Sequence, residues 1–174
     1  KPGGLVEPGV RLGFDKGGGV KILEPSVFTD FRGDLWTTWK KNEFPYNIEF
    51  NHDKVSTSRK DVLRGIHGDF KSFKLITCLY GQLFFILVDN RTDSKTYLQH
   101  QSMILDDRKR KMVLIPPGEG NGFLVLSEYS VFSYKWAYDG KYPDVEDQFT
   151  IKWNDKRLNI DWQIQNPILS ERDE

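Results

Sequence analysis

A guanidinium and an imidazole stand three residues apart in the stretch Leu63–Asp69, at what looks like the end of a strand. Arg64 can clamp a phosphate or carboxylate through two parallel hydrogen bonds. His67 can exchange a proton near neutral pH. Taken alone, a histidine beside glycine is more often a hydrogen-bonded structural residue, so catalysis is the minority interpretation of this pattern by itself.

Lys74 follows beyond a turn at Gly68–Ser72. On a strand it would share a face with Ile76 and Cys78, which are apolar or nearly so. A lysine in that position either extends its amine to the edge or carries a fixed positive charge into a pocket. The local pattern leaves both interpretations open.

Tyr134 belongs to an aromatic segment in which alternation places Phe132, Tyr134, Trp136 and Tyr138 on one face. Such a ladder is more often part of a core or an interface than of an active site. A phenol within it could also donate a proton or stack on a sugar ring.

The histidine pattern argues against a metal. A metal-binding cupin carries a His-x-His pair followed by Glu, and a further His after a Pro-x-Gly turn, because three or four ligands are needed. His67 has no such neighbour, Asn121 stands where the last His would fall, and His52 and His100 are isolated. We expect no metal. Signatures of phosphate-binding loops, serine hydrolases and zinc proteases are also absent.

Short segments separated by turn residues predict an all-β protein, a sandwich or jelly roll. The predicted strands are Val20–Leu23, Leu35–Trp39, Phe73–Leu79, Gln82–Asp89, Met112–Ile115, Gly122–Leu126 and Val131–Tyr138. Only Pro25–Thr29 and Lys40–Glu43 look capable of a helical turn. Strands that are apolar on both faces suit a barrel wall covered outside by another sheet or a partner subunit.

The 174 residues fit one domain, preceded by a short appendage. Residues 1–19 are rich in glycine and lack periodicity, so we expect a flexible arm or a remnant of cloning. The domain then runs from residue 20 to residue 174.

Charge and cysteine usage limit the partners and the compartment. Lys and Arg number 25 and Asp and Glu number 25, so no net charge favours nucleic acid or an anionic membrane. Cys78 is the only cysteine; it excludes an intrachain disulfide, fits a reducing compartment and reads as a small buried hydrophobe. No apolar run is long enough for a membrane-spanning helix. We expect a cytoplasmic protein.

The chain after its glycine-rich start resembles the dTDP-4-dehydrorhamnose 3,5-epimerases. The shared landmarks are Phe28–Gly33, Arg64–His67, Lys74, Ile115–Gly118, Gly122–Leu126, Tyr134-Lys135, Ile160–Trp162 and Leu169–Asp173. The resemblance implies a cupin double-stranded β-helix (jelly roll) with few short helices. It also implies no cofactor, no metal, and a homodimer that exchanges β-strands.

The resemblance also implies roles for individual residues. His67 would be the general base paired with Asp173, Lys74 would sit near the C4 oxygen of the sugar, and Tyr134 would deliver a proton from the opposite face. The expected substrate-binding residues are Arg64 at the diphosphate, Arg32 from the partner subunit, Phe28, Asn121, His52 and Lys54.

A closer resemblance is to a branch that acts on GDP-linked 4-keto-6-deoxy-heptoses in capsule polysaccharide synthesis. Its versions of the motifs are His67-Gly68-Asp69, Gly120-Asn121, Ala137–Gly140, Asp147–Thr150 and Trp153–Asp155. The dTDP-rhamnose enzymes usually have His at Asn121, Gln at His52 and Asn at Lys54, which puts a dTDP-hexose substrate in question.

The function expected from these residues is inversion of C3, C5 or both in a nucleotide-linked 4-keto-6-deoxy sugar, by removal and return of a proton. The same residues would serve a C3-only epimerase or a 3,4-ketoisomerase. Two other classes remain open, a non-catalytic carbohydrate-binding cupin and a metal-dependent cupin oxygenase.

Overall fold

The computed structural model describes residues 10–11 and 19–174. Its strands are β1 (Val10–Arg11), β2 (Lys21–Leu23), β3 (Val27–Asp30), β4 (Gly33–Trp36), β5 (His52–Arg59), β6 (Leu63–Gly68), β7 (Phe73–Tyr80), β8 (Gln82–Asp89), β9 (His100–Asp106), β10 (Met112–Ile115), β11 (Glu119–Val125), β12 (Tyr129–Ala137) and β13 (Phe149–Thr150). Two single 3₁₀ turns, Val145–Asp147 and Glu171–Asp173, are the helical elements of this part of the chain. Neither has the length or the apolar character that crossing a bilayer requires.

The strands form two antiparallel sheets and a separate hairpin. One sheet has the order β1-β2-β10-β7-β12-β5, and the other has the order β13-β6-β11-β8-β9. Strands β3 and β4 pair only with each other. Chain neighbours such as β6 and β7 therefore lie in different sheets, which is the jelly-roll arrangement of cupins and confirms the expected fold class.

The main core lies between the two sheets. It is built from alternate side chains of both, with Phe85 and Phe123 from one sheet meeting Phe132 from the other at ring-centroid distances of 6.1 and 4.7 Å. Ile76 and Cys78 belong to the same cluster, so Cys78 is the buried small hydrophobe that its sequence context predicts. This apolar packing closes one end of the interior and leaves the other end open as a cavity.

The outer faces of both sheets are covered by irregular segments of the same chain. Residues 39–50 supply aromatic rings that pack over Leu75 and Leu114 of the first sheet. Residues 151–169 pack Trp162 and its neighbours over Ile66 and Ile86 of the second. The strands are apolar on both faces because irregular segments of the same chain cover each sheet on its outer side. The sequence had suggested another sheet or a partner subunit as the cover, and the part played by a partner stays a prediction.

All seven predicted strands are confirmed within a few residues, but β1, β3, β5, β6, β9 and β13 were not among them. The two longest of these are β5 and β9. Both lie at the edge of their sheets and pair on one side only. Edge strands carry polar side chains that discourage further pairing, and His52–Arg59 and His100–Asp106 accordingly lack an apolar pattern. Their positions could be recognised only once their pairing partners were known.

Of the two predicted helical turns, one is right and one is wrong. At Lys40–Glu43 the carbonyl of Lys40 accepts the N–H groups of Glu43 and Phe44, at 3.0 and 2.9 Å. Pro25–Thr29 is not helical, because Val27–Asp30 is extended and pairs with Gly33–Trp36. The β-branched Val27 and Thr29 favour this pairing.

The predicted flexible arm, residues 1–19, lies almost wholly outside the described residues. Val10 and Arg11 are described, and they pair with Ile22 and Lys21 of β2.

We expect Phe85→Ala to lower the free energy of unfolding by about 3–5 kcal/mol, because it empties space at the centre of the core. Phe85 is fully buried, whereas Ile104 on the adjacent strand is 46% exposed. Ile104→Ala is therefore the matched control and should change the free energy by about 0.5 kcal/mol or less. Urea unfolding at one protein concentration measures both. Equal effects would contradict this assignment of the core.

Candidate active site

A cavity of about 230 Å³ opens between the two sheets and borders the aromatic core, since Phe123 lies in its wall. Strands from both sheets, the segment after β12 and the C-terminal turn all contribute to it. The lining residues are Lys54, Val55, Ser56, Arg64, Gly65, His67, Lys74, Asn121, Phe123, Tyr134, Trp136, Tyr142, Asp144, Val145, Gln148 and Arg172. Six of the residues predicted from the sequence therefore share one cavity, and Asp173 adjoins it through its bond to His67.

His67 is held by a carboxylate from the far end of the chain. Its Nε2 lies 2.5 Å from Asp173 Oδ1, and the backbone N–H of Gly65 donates to Asp173 Oδ2 at 3.2 Å. Ile168 anchors the C-terminal segment beside β6, since its carbonyl accepts the N–H of Leu63 at 3.0 Å. The ring is thereby fixed through one nitrogen, and Nδ1 is left to act on a substrate.

Asp173 is charged at neutral pH. Its side chain is 3% exposed, and burial by itself raises the pKa of the carboxyl. The hydrogen bond and charge of His67 outweigh that effect, helped by Gly65 N–H and by Arg172, and the net pKa lies below its ordinary value.

Gly65 permits this arrangement by its lack of a side chain. Its φ is +112°, and a Cβ there would lie 2.6 Å from Gly122 Cα and 2.7 Å from Asn121 O. Strands β6 and β11 can therefore touch at this point only with glycine present. The contact sets Asn121 directly opposite His67 in the register of the two strands.

Lys74 enters the cavity from the other sheet. Its side chain is buried, its Nζ donates to Asn121 Oδ1 at 3.0 Å, and it lies 4.7 Å above the ring centre of Trp136. The sequence left open whether this amine reaches the edge or enters a pocket; it enters the pocket. Burial is the main influence on its pKa, which falls to about 8.

Tyr134 faces the cavity from β12, in the same sheet as Lys74 and opposite the sheet of His67. Its ring packs edge-on against Phe132 at 4.7 Å and beside Trp136 at 6.3 Å, which confirms the predicted one-sided ladder. Burial raises the pKa of the phenol to about 12. Tyr134 is therefore a protonated donor across the cavity from the imidazole.

Three cationic or potentially cationic residues of the prediction differ in their access to the cavity. Arg64 lines it, and donates to Ser58 Oγ at 2.9 Å and to the carbonyl of Thr57 at 3.2 Å. Lys54 also lines it, with Nζ 2.6 Å from Tyr142 Oη. His52 stands behind that tyrosine, at a ring distance of 4.8 Å, and does not line the cavity.

Phe28 and Arg32 lie on the β3–β4 hairpin and not in this cavity of the single chain. Phe28 is 42% exposed, and Phe31 at the tip is 97% exposed. Arg32 forms a 2.5 Å ion pair with Asp30. The placement of Arg32 in a site, which the family resemblance assigns to a partner subunit, stays a prediction.

Tyr142, Gln148 and Arg172 are among the cavity residues that sequence reasoning did not assign to the site. Arg172 donates to Gln148 Oε1 at 3.0 Å and to Thr150 Oγ1 at 3.1 Å, joining the C-terminal turn to the wall. Arg172 sits next to Asp173 within a recognised landmark, which was an available signal. Gln148 falls within the branch motif Asp147–Thr150, although no role was assigned to it, whereas Tyr142 lies in a polar segment where no pattern distinguished it.

The histidine, cysteine and acidic side chains of residues 19–174 include no group of three or more placed to hold a metal ion.

The cupin jelly roll thus encloses a cavity with a His–Asp pair on one wall and a phenol and a buried lysine on the facing wall, which are side-chain types used in acid–base catalysis. The family model of dTDP-4-dehydrorhamnose 3,5-epimerase matches residues 17–174. The chain therefore belongs to the dTDP-4-dehydrorhamnose 3,5-epimerase family. It is an isomerase of the kind that acts without a cofactor.

Individual relatives agree with this assignment. The dTDP-4-dehydrorhamnose 3,5-epimerase of Escherichia coli is 37% identical over 163 residues, covering 89% of this chain and 86% of that protein. The crystal structure of the Bacillus anthracis enzyme with TDP and PPi bound has a TM-score of 0.81 at 32% identity, covering 88% of this chain and 90% of that one. A 4-keto-6-deoxy sugar epimerase from the novobiocin gene cluster of Streptomyces spheroides has a TM-score of 0.84 at 30% identity, covering 99% and 87%.

We expect Asp173→Asn to destabilise the protein by about 1–3 kcal/mol at pH 7, because the ionised partner of His67 is lost. The folded pKa of Asp173 is depressed, so its contribution is present above the unfolded pKa and disappears as the pH falls through the folded value. The difference in free energy of unfolding between the wild type and Asp173→Asn should therefore narrow on acidification below about pH 4. Urea unfolding across pH measures it. Glu171→Gln, an exposed change in the same turn, is the control; a gap independent of pH would contradict the assignment.

Proposed function

We propose that the protein inverts C3 and C5 of a nucleotide-diphosphate-linked 4-keto-6-deoxy sugar. The observation that supports this best is the position of His67 and Tyr134 on facing sheets of one cavity. Inversion needs a proton to leave one face of a carbon and another to arrive on the opposite face. A base and an acid on opposite walls meet that requirement.

In the proposed first step, Nδ1 of neutral His67 removes the hydrogen from the carbon beside the C4 ketone. That hydrogen is weakly acidic because its loss gives an enolate with its charge on oxygen. Asp173, bonded to Nε2, stabilises the imidazolium that forms. An imidazole suits this step, since its pKa lies near the working pH.

Lys74 is the proposed partner of the enolate oxygen. Its Nζ donates a hydrogen bond to Asn121 and lies over the ring of Trp136, so the ammonium is already oriented before substrate binds. A fixed positive donor in a site that excludes water is worth on the order of 3 kcal/mol toward the transition state. The ketone itself holds the electron pair, so the step needs no redox partner.

Tyr134 is the proposed acid of the second step. Its phenol gives a proton to the opposite face of the carbon, the enolate returns to the ketone, and solvent then restores both side chains. The apolar rings of Phe132 and Trp136 pack against the phenol, and its burial keeps it protonated before the proton transfer.

Cationic side chains at the cavity support a diphosphate group in the substrate. Lys54, Arg64 and Arg172 line it, and arginine offers paired hydrogen bonds to phosphate oxygens. We further propose that a homodimer with exchanged strands places Arg32 and Phe28 of one subunit beside the nucleotide bound by the other. The exposed aromatic tip of the β3–β4 hairpin supports this, because an exposed apolar patch favours contact with another protein surface.

The substrate that we favour is a GDP-linked heptose over a dTDP-linked hexose. Asn121 and Lys54 line the cavity at positions where the dTDP-rhamnose enzymes usually carry other residues, and His52 supports Tyr142 from behind. These replacements change the hydrogen-bond donors and acceptors available to contact the sugar. A cytoplasmic location and a place in capsule polysaccharide synthesis are parts of the same proposal.

Incubation in heavy water with GDP-linked 4-keto-6-deoxyheptose and dTDP-linked 4-keto-6-deoxyhexose tests the function. We expect deuterium at C3 and C5, faster with the GDP-linked sugar. NMR of the borohydride-reduced product separates alternatives: label at C3 alone indicates a C3 epimerase, and a displaced ketone indicates a 3,4-ketoisomerase. Saccharide binding without exchange, unaffected by His67→Asn, would replace the proposal with a non-catalytic binding protein.

We expect Tyr134→Phe to separate exchange from inversion. His67 can still remove and return the proton on its own face, so deuterium exchange at the carbon served by Tyr134 persists while the inverted product falls by about 10²–10⁴-fold. His67→Asn should abolish both. Tyr138→Phe is the control, because Tyr138 bonds to His52 outside the cavity lining. Loss of exchange and inversion in equal measure in Tyr134→Phe would argue against its role as the opposite acid.

We expect inactive subunits to complement each other. Arg32→Ala should lower kcat/KM by at least about 30-fold through loss of a phosphate contact, and His67→Asn should remove the base. In a mixed dimer, the site that keeps its own His67 receives an intact Arg32 from the other subunit. Random mixing by co-expression should then restore about a quarter of the wild-type activity. Activity no higher than that of either variant alone would contradict a shared site.

A further inference from the structure

Lys74 carries a positive charge into the cavity wall, and no carboxylate among residues 19–174 is its hydrogen-bond partner. The side chain is 4% exposed, and its Nζ donates to the neutral amide of Asn121 and lies over the ring of Trp136. Burying an ammonium is unfavourable unless an opposite charge compensates it. The source of that compensation determines whether Lys74 is charged when substrate binds.

Two carboxylates at the cavity are already engaged. The carboxylate of Asp173 is hydrogen-bonded to His67 and accepts the N–H of Gly65. Asp144 is exposed to solvent and accepts the N–H of Val145. Neither is the buried counter-charge that Lys74 requires.

Asp69 has the properties that the other two lack. It lies in the turn that joins β6, which carries His67, to β7, which carries Lys74, and it is 3% exposed. Its Oδ1 accepts the N–H groups of Lys71 and Ser72 at 2.8 and 2.7 Å. Its Oδ2 is buried and has no hydrogen-bond partner in the part of the chain that the structure describes.

The charges around Lys74 act in opposite directions. Burial lowers its pKa most, the negative charge of Asp69 raises it, and the positive charge of Arg172 lowers it further. The other titratable side chains that line the cavity are Lys54, Arg64, His67, Tyr134, Tyr142 and Asp144. Asp69 is thus a buried anion that opposes the desolvation of the lysine.

We propose that Asp69 is a positioning residue of the site, whose buried carboxylate is the counter-charge that keeps Lys74 an ammonium as it faces the sugar ketone. The use of that ammonium on an enolate rests on the proposed function. The effect of Asp69 on the charge of Lys74 does not, and it can be measured without substrate.

Asp69→Asn is the sharpest variant, because the amide oxygen can still accept the N–H groups of Lys71 and Ser72 while the charge is lost. Asp69→Ser keeps a hydroxyl acceptor for the turn and serves as the second variant. In ¹⁵N-lysine-labelled protein, with the Lys74 signal identified by its loss in Lys74→Met, we expect the Nζ titration midpoint to fall by about one pH unit in both variants.

Asp107→Asn is the matched control. Asp107 also accepts a backbone N–H, that of Gly81 at 2.9 Å, but it does so at a hairpin outside the cavity lining. It should leave the Lys74 midpoint unchanged.

The exchange assay supplies a catalytic readout. Above the pKa of Lys74 the ammonium is lost, so the rate of solvent exchange should fall on the alkaline side, and in Asp69→Asn that fall should occur about one pH unit lower. An unchanged Lys74 midpoint in folded Asp69 variants would overturn the role of Asp69. Absence of exchange in the wild-type protein with every substrate would instead overturn the proposed function and leave the NMR result standing.

Discussion

The bond between His67 and Asp173 is the interaction on which the organisation of the site depends. It joins the sixth strand to the last turn of the chain, across 106 positions of sequence, at 2.5 Å. A carboxylate so deeply buried is tolerated only because an imidazole, the Gly65 N–H and the charge of Arg172 stabilise it. The C-terminal segment must therefore pack along β6 before the base can have its orienting partner.

The two-sheet construction of the jelly roll gives the site its two-sided chemistry. His67 and Asn121 belong to one sheet, whereas Lys74 and Tyr134 belong to the other. The hydrogen bond from Lys74 to Asn121 crosses between the sheets and ties the two walls together. The cavity therefore presents the imidazole of His67 from one wall and the phenol of Tyr134 from the other.

The same gap shapes the acid–base properties of its side chains. Burial raises the pKa of the Tyr134 phenol, which keeps it protonated, and lowers the pKa of Lys74, which brings its ammonium nearer to neutrality. The turn that carries Asp69 lies directly between the strands of His67 and Lys74. This short turn can thus influence both His67, the proposed base, and Lys74, the group proposed to bind the enolate oxygen.

The sequence by itself determined the fold class, the inner face of β12 and the family, because periodicity and ordered motifs are local properties of a chain. It could not place the polar edge strands β5 and β9, since their pairing is defined by partners distant in sequence. Nor could it assign Tyr142, Gln148 and Arg172 to the cavity, or show that the amine of Lys74 is buried against Asn121. Those features depend on two sheets and a C-terminal segment that meet in space. Burial and contact between residues distant in sequence are therefore decided only by the tertiary structure.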